Sequence, residues 1–297
     1  MKIILTGTSG RIGKAIHARL GPEHEVVGVD RSPSPTADVV ASLSDTNRLA
    51  ALLDGADAVI HSAALHAPHV GRFSDAAFEA VNVAGTEALL RLCLDAGVRR
   101  FVFTSTTALY GAASNVPGPA AWVNEGTVPA PKTIYHRTKL AAEAALERAA
   151  ATADLCVTVL RVSRCFPEPA PVMAVQRLHR GVDARDVAEA HAAALVHAAA
   201  GIRRYIVSAA TPFLHEDASE LMSHAPSVIQ RRAPALADEF RRRRWPLPLS
   251  IDRVYDPARA TAELAWTPRY GFADVLAELD RGSPEVLPPG TVASIDD

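Results

Sequence analysis

Lys2-Ile3-Ile4-Leu5-Thr6-Gly7-Thr8-Ser9-Gly10-Arg11-Ile12-Gly13 decides how this chain folds. A short apolar run ends in a turn with glycines at 7, 10 and 13, and apolar residues at helical spacing begin at once, from Ile12 to Leu20. Such a turn lets the chain reverse tightly, brings backbone N–H groups close to a pyrophosphate, and lets helix and strand pack against each other. The next apolar run, Glu25 to Val29, closes on Asp30, 17 residues beyond Gly13, where a carboxylate accepts the hydroxyls of an adenosine ribose. Together these features predict a dinucleotide site formed by Gly7, Ser9, Gly10, Arg11, Ile12 and Gly13, with Asp30 at the ribose. Asp30 repels a 2′-phosphate and so favours NAD. Arg31 stands beside it and could swing to meet one, which keeps NADP as the less favoured alternative.

Outward from this unit the same alternation continues. Ala58-Val59-Ile60, Phe101-Val102-Phe103, Val157 to Leu160 and Tyr205-Ile206-Val207 read as strands. Thr46 to Leu53, Phe78 to Asp95, Tyr135 to Ala150 and Val187 to Ala200 read as crossover helices. The fold class is α/β, a doubly wound parallel sheet. Three segments rich in proline or polar residues, Ala112 to Thr133, Phe166 to Val182 and Thr211 to Ser250, interrupt the alternation and read as irregular loops that gather substrate contacts. The expected division is a nucleotide-binding domain over 1–165, with 183–210 returning to the sheet, and a small C-terminal substrate lobe from 166–182 and 211–297.

Composition narrows the classes. The 297 residues carry 31 basic and 33 acidic side chains, a formal net charge of −2, so no global field recruits nucleic acid or an anionic membrane. No stretch reaches the roughly 18 apolar residues of a membrane span, and Thr6-Gly7 interrupts the opening run too soon for a signal-peptide core. The expected location is the cytoplasm. Cys93, Cys156 and Cys165 form no Cys-x-x-Cys pair and suit a reducing compartment. Arg241 to Arg244 read as a solvated helix end. His61, His66 and His69 cluster but lack carboxylate support, so no metal is expected; His66 and His69 fit the rim of a substrate mouth.

Tyr135 and Lys139 lie four residues apart, on one face of a helix. The ammonium is expected to lower the phenol pKa so that Tyr135 passes a proton near neutral pH. The Phe101 strand ends in Thr104-Ser105-Thr106-Thr107, hydroxyls at the carboxyl end of a parallel strand, where ligands bind. The glycine turn, the Tyr/Lys pair and this strand end resemble the short-chain dehydrogenase/reductase superfamily. The resemblance is to its extended branch, the NAD-dependent epimerase/dehydratase family, whose fold is of the Rossmann type. Further matches follow in order: His61-Ser62-Ala63-Ala64, Asn82-Val83-Ala84-Gly85-Thr86, Leu109-Tyr110-Gly111, Asp186-Val187-Ala188, Tyr255-Asp256 and Leu264-Ala265-Trp266-Thr267-Pro268.

The resemblance implies that Tyr135 is the acid/base, that Lys139 holds the nicotinamide ribose, that Thr106 hydrogen-bonds the reacting oxygen, and that Ala63, Ala64 and Asn82 adjoin the cofactor. Counting back five from Gly111 selects Thr106, with Ser105 one residue away as the alternative. It also implies a homodimer built on the Phe78–Asp95 and Tyr135–Ala150 helices. Thr107 and Ala108 stand where the family's 4,6-dehydratases carry an Asp-Glu pair, which disfavours elimination. Between Leu160-Arg161 and Asp186 the chain is shorter than in nucleotide-sugar epimerases, and Ser163 to Pro169 is similar to a run in uronate dehydrogenases. Their carboxylate pocket does not carry over, because Thr106-Thr107-Ala108 replaces Ser-Asn-His. Arg164 and Arg177 are candidates to fork onto an anionic group, with Thr107 and His66 as further substrate contacts. The expectation is an NAD-dependent oxidoreductase acting on a secondary alcohol or hemiacetal of a compact, sugar-like small molecule. A nucleotide-sugar epimerase is the alternative, and a non-catalytic NAD-sensing protein the remote one.

Overall fold

Seven parallel strands lie in the order β3-β2-β1-β4-β5-β7-β8. In chain order they are β1 (Lys2–Thr6), β2 (Glu25–Asp30), β3 (Val39–Val40), β4 (Ala58–His61), β5 (Arg100–Thr106), β7 (Cys156–Val162) and β8 (Gly201–Val207), and a separate parallel pair joins β6 (Ala121–Val123) to β9 (Arg253–Tyr255). The computed structural model describes residues 1–111 and 118–291; the start of the Ala112–Thr133 segment and the last six positions of the expected C-terminal lobe lie outside them. The helices are α1 (Arg11–Leu20), α2 (Thr46–Leu53), α3 (Asp75–Phe78), α4 (Gly85–Asp95), α5 (Ile134–Thr152), α6 (Ala170–Gln176), α7 (Ala184–Val196), α8 (Ala218–Arg232), α9 (Pro234–Arg243), α10 (Ala258–Glu263) and α11 (Phe272–Asp280). No helix among the described residues is long and apolar enough to cross a membrane.

Both sheet faces are covered, which is why the strands read as continuous apolar runs. Ile3, Leu5, Ile60, Val102 and Leu160 pack with Ile16 and Leu20 of α1 and Val187 of α7. The alternate residues Ile4, Val59, Phe101, Phe103 and Val157 pack with Leu49, Leu89, Ala142 and Leu146 of α2, α4 and α5. Strand order reverses about β1, which pairs with both β2 and β4, so the crevice for a ligand opens at the carboxyl ends of β1 and β4. The motif near residue 186 and the one near residue 266 prove to be one device. Asp186 is fully buried, its carboxylate accepts the Arg269 and Tyr270 N–H groups at 2.8 and 3.0 Å, and the Trp266 indole donates to the Asp186 carbonyl.

A second apolar core gathers Met173, Leu221, Val228, Ile229, Phe240 and Leu276. Here two expectations need correction. Thr211–Ser250 contains α8 and α9, and Phe166–Val182 contains α6. Their prolines start helical stretches instead of breaking them: Pro234 opens α9, where its missing N–H has no intrahelical partner to lose, and Pro226 follows the kink at His224. The helix read from Phe78 begins earlier, at Asp75, and is wound wider over Glu79–Ala84 before α4, which turns Asn82 inward. Arg241 to Arg243 do lie on a solvated helix end, paired to Asp238, Glu239 and Asp280. On the unpaired edge of β8, Glu125 accepts the Ile206 N–H at 2.7 Å.

Candidate active site

The glycine turn is built for backbone approach. Gly7 has φ +80°, and a Cβ there would lie 2.6 Å from the Ala63 nitrogen. At Gly13 an added Cβ would stand 2.0 Å from the Gly7 carbonyl, closer than any side chain tolerates. Gly10 is exposed and gives α1 no side-chain cap, so the helix presents its first N–H groups to the crevice. Asp30 is held in place: its two oxygens accept the Ser9 and Ser32 N–H groups, each at 2.9 Å, and Ser9 Oγ donates to the Ser32 carbonyl. Arg31 is exposed and leans over the Phe73 ring. Ile12 packs at the edge of the core, so it can offer a ligand only its backbone. Arg11 pairs with Glu285 and hydrogen-bonds Cys165.

Beneath the crevice, His61 is a core residue. Its ring nitrogens meet Thr6 Oγ1 at 2.7 Å and Thr86 Oγ1 at 2.9 Å, and burial, reinforced by the Lys139 charge, pushes its pKa down to about 3. Ala63 donates its N–H to Thr6 Oγ1, with Ala64 next along the same strand end. Asn82 is 1% exposed, accepts the Leu65 N–H, and donates to the Leu65 carbonyl and to Thr138 Oγ1, so its side chain ties the β4 loop to α5.

At the end of β5 the structure separates the two candidate hydroxyls. Thr106 hydrogen-bonds the Tyr135 phenol, whereas Ser105 points to the other side and donates to Glu143 at 2.6 Å. Lys139 is 2% exposed, one helical turn from Tyr135, with its Nζ 3.8 Å from the centroid of Phe103. The expectation that Lys139 lowers the phenol pKa is not met: Lys139 is not among the groups that shift Tyr135. Desolvation dominates at both groups: it pushes Tyr135 up to about 12, against the Thr106 hydrogen bond, and Lys139 down to about 7, against the attraction of Glu143.

Of the expected substrate residues, the structure brings two to the crevice mouth. Arg164 is half-exposed, bonded to Glu168 at 2.6 Å and set over Phe166, whose ring stacks on His66. Thr107 is 3% exposed and turned toward the Val162 carbonyl, away from the opening. Arg177 is 2% exposed and paired with Asp183, beside Arg11, so it belongs to the underside of the glycine turn and not to the substrate mouth. The sequence reading missed the ionic layer under Tyr135 and Lys139. Glu143, Arg161, Arg204 and Tyr110 join there, with Arg161 bidentate to Glu143 at 2.6 and 3.2 Å and donating to Tyr110 Oη at 2.8 Å. Two signals were present: Glu143 continues the four-residue spacing of Tyr135 and Lys139, and Arg161 is a charge inside an apolar strand, which must find a partner.

The model of the NAD dependent epimerase/dehydratase family matches residues 3–171. A 3β-hydroxysteroid dehydrogenase/Δ5→4-isomerase of Mycobacterium tuberculosis is 32% identical over 157 residues, 48% of this chain and 41% of that protein. An uncharacterized UDP-glucose epimerase of Bacillus subtilis is 29% identical over 201 residues, 60% of this chain and 61% of that protein. The chain thus spans less than two thirds of either relative. A solved short-chain dehydrogenase/reductase superfamily protein from Agrobacterium tumefaciens, with bound NAD, superposes with a TM-score of 0.70 at 21% identity, covering 94% of this chain and 95% of that one, a likeness of fold.

Proposed function

The chain belongs to the NAD dependent epimerase/dehydratase family, and from that premise we propose that it oxidises a secondary alcohol or hemiacetal of a compact, sugar-like substrate. The observation that carries this reading is the hydrogen bond between Thr106 and Tyr135 at the carboxyl end of β5, with Lys139 one turn along α5. The crevice fits NAD: Gly10 is open, α1 is uncapped, and Asp30 is fixed at the end of β2 with lone pairs left for ribose hydroxyls. Gly7, Ser9, Gly10, Arg11, Ile12 and Gly13 would hold the pyrophosphate by their backbone, Asp30 the adenosine ribose, and Lys139 the nicotinamide ribose. When bound, NAD supplies the hydride acceptor.

Thr106 orients the substrate hydroxyl and Tyr135 Oη takes its proton. A phenol at about 12 is a poor base at neutral pH, so the chemistry requires added positive charge beside Tyr135, from a protonated Lys139 and a bound cationic ring. Val162 to Arg185 includes one short helix, α6, which leaves little room for a nucleotide diphosphate and supports a compact substrate. The hydroxysteroid relative's name shares the oxidation of a secondary alcohol with this reading. The second reading, a UDP-sugar epimerase, draws on the Bacillus relative's name.

Two measurements decide. Liquid chromatography and mass spectrometry after denaturation of the protein as purified are expected to find little retained nucleotide, with the protein binding added NAD reversibly; near-stoichiometric retained NAD would favour the epimerase. With a panel of sugars and sugar acids, Tyr135→Phe is expected to lose about 10²- to 10⁴-fold in turnover while NAD affinity stays within about threefold. An active Phe variant overturns the assignment.

A further inference from the structure

Glu143 lies one turn beyond Lys139 on α5 and is 1% exposed, yet no ion pair joins the two. Its carboxylate is taken by other elements: Ser105 Oγ of β5 at 2.6 Å, Arg161 of β7 at 2.6 and 3.2 Å, and Arg204 Nε of β8 at 3.3 Å. Arg204 also pairs with Glu147, and Arg161 donates to Tyr110 Oη. The Lys139 ammonium lies over the π face of Phe103 and has no hydrogen-bond or ion-pair partner among the described residues. The remaining titratable groups around it are Tyr135 on its own helix and His61 of β4, which burial keeps neutral at ordinary pH. The buried layer therefore holds two cations, Lys139 and Arg161, against one carboxylate, with Arg204 and Glu147 at its margin.

We propose that the Glu143–Arg161 pair is a positioning device for the reaction: Arg161 draws Glu143 away from Lys139, and the pair together holds Ser105 aside, so that Lys139 remains a cation without an ion-pair partner beneath Tyr135 and Thr106 is the hydroxyl that meets the phenol. This rests on the Tyr135/Lys139 reading above. A carboxylate locked onto Lys139 would leave it no donor for a ribose and no positive field for a phenolate. A carboxylate removed altogether would leave Arg161 to repel the ammonium. Burial brings Lys139 down to about 7, and the attraction of Glu143 at this distance offsets that only in part.

The chain contains only four lysines, Lys2, Lys14, Lys132 and Lys139. Protein labelled with ¹³C at lysine Cε therefore gives a readable NMR titration, and loss of a peak in Lys139→Arg assigns the signal. The two ends of the pair are expected to act in opposite directions. Glu143→Gln lowers the Lys139 midpoint by about one pH unit, and Arg161→Met, which releases Glu143 toward Lys139, raises it by about as much. Opposite shifts cannot come from general loosening of the core. Should either buried variant fail to fold, Arg204→Met, at a site only partly buried, still tests the idea: it removes one of the cations on Glu143 and is expected to raise the midpoint by a smaller amount. Shifts of one sign in both buried variants, or an unmoved midpoint in folded Arg204→Met, overturn the proposal. The titration needs no substrate, so it fails or stands separately from the Tyr135→Phe assay.

Discussion

At the start of α1 the crevice surface is backbone, and the rule is that nothing protrudes; on the inner face of α5 it is side chains, and the rule is that each charge is placed against its neighbours. Gly7 and Gly13 leave no space for a single methyl. The α5 face tolerates bulk, with Tyr135, Lys139 and Glu143 in line, but it places a lysine and an arginine around one carboxylate in a nearly dry layer. The first region therefore fails by collision and the second by electrostatics, and substitutions separate the two.

The largest expected effect is at Gly13. Gly13→Ala should abolish measurable NAD binding by calorimetry, because its Cβ meets the Gly7 carbonyl, whereas Gly10→Ala, with 3.4 Å to the nearest atom, keeps the fold and weakens NAD only several-fold. If both behave alike, steric fit is not what governs the turn. Next comes Thr106→Val, expected to reduce turnover about 10²-fold against less than about tenfold for Ser105→Ala; a reversal would return Ser105 to the chemistry. Asp30→Ser should shift the NAD over NADP preference by about tenfold, read as a ratio of dissociation constants, and an unchanged ratio would place Asp30 away from the ribose.

The smallest effect is a pH dependence of stability. Burial holds His61 and His179 at about 3 and His191 at about 4, below the ordinary imidazole value of 6.5. As pH falls, the unfolded chain takes up these protons first. The stabilisation is complete above 6.5 and drains between there and about 3, so the melting temperature should decline over that range. A flat profile would mean that these rings are charged or solvated in the fold.

The same contrast explains what the sequence discloses. A backbone site announces itself in glycine spacing, so the turn at 7–13, the sheet and the Tyr135/Lys139 face are all readable in order along the chain. A site made of charge balance depends on pairs far apart, such as residues 143 and 161 or 143 and 204, which only packing reveals. Asn82 and Arg177 illustrate this: the family motif points to the first and its charge to the second as ligand groups, and only packing shows the internal partners that hold each side chain. The C-terminal helices were hidden by prolines at positions where a helix begins.

Glu125 on the Ile206 N–H has a meaning for the molecule in crowded solution. A free sheet edge is a template on which another extended chain can add itself, residue by residue. Along β8 that template is interrupted: one outward amide is already capped by a carboxylate, and Arg203 and Arg204 add like charges along the same strand. An incoming strand would have to displace the cap and bring its own apolar residues against two guanidinium groups. Removing this one glutamate should therefore be felt less in catalysis than in shelf life, as a protein that slowly recruits copies of itself at the end of its own sheet.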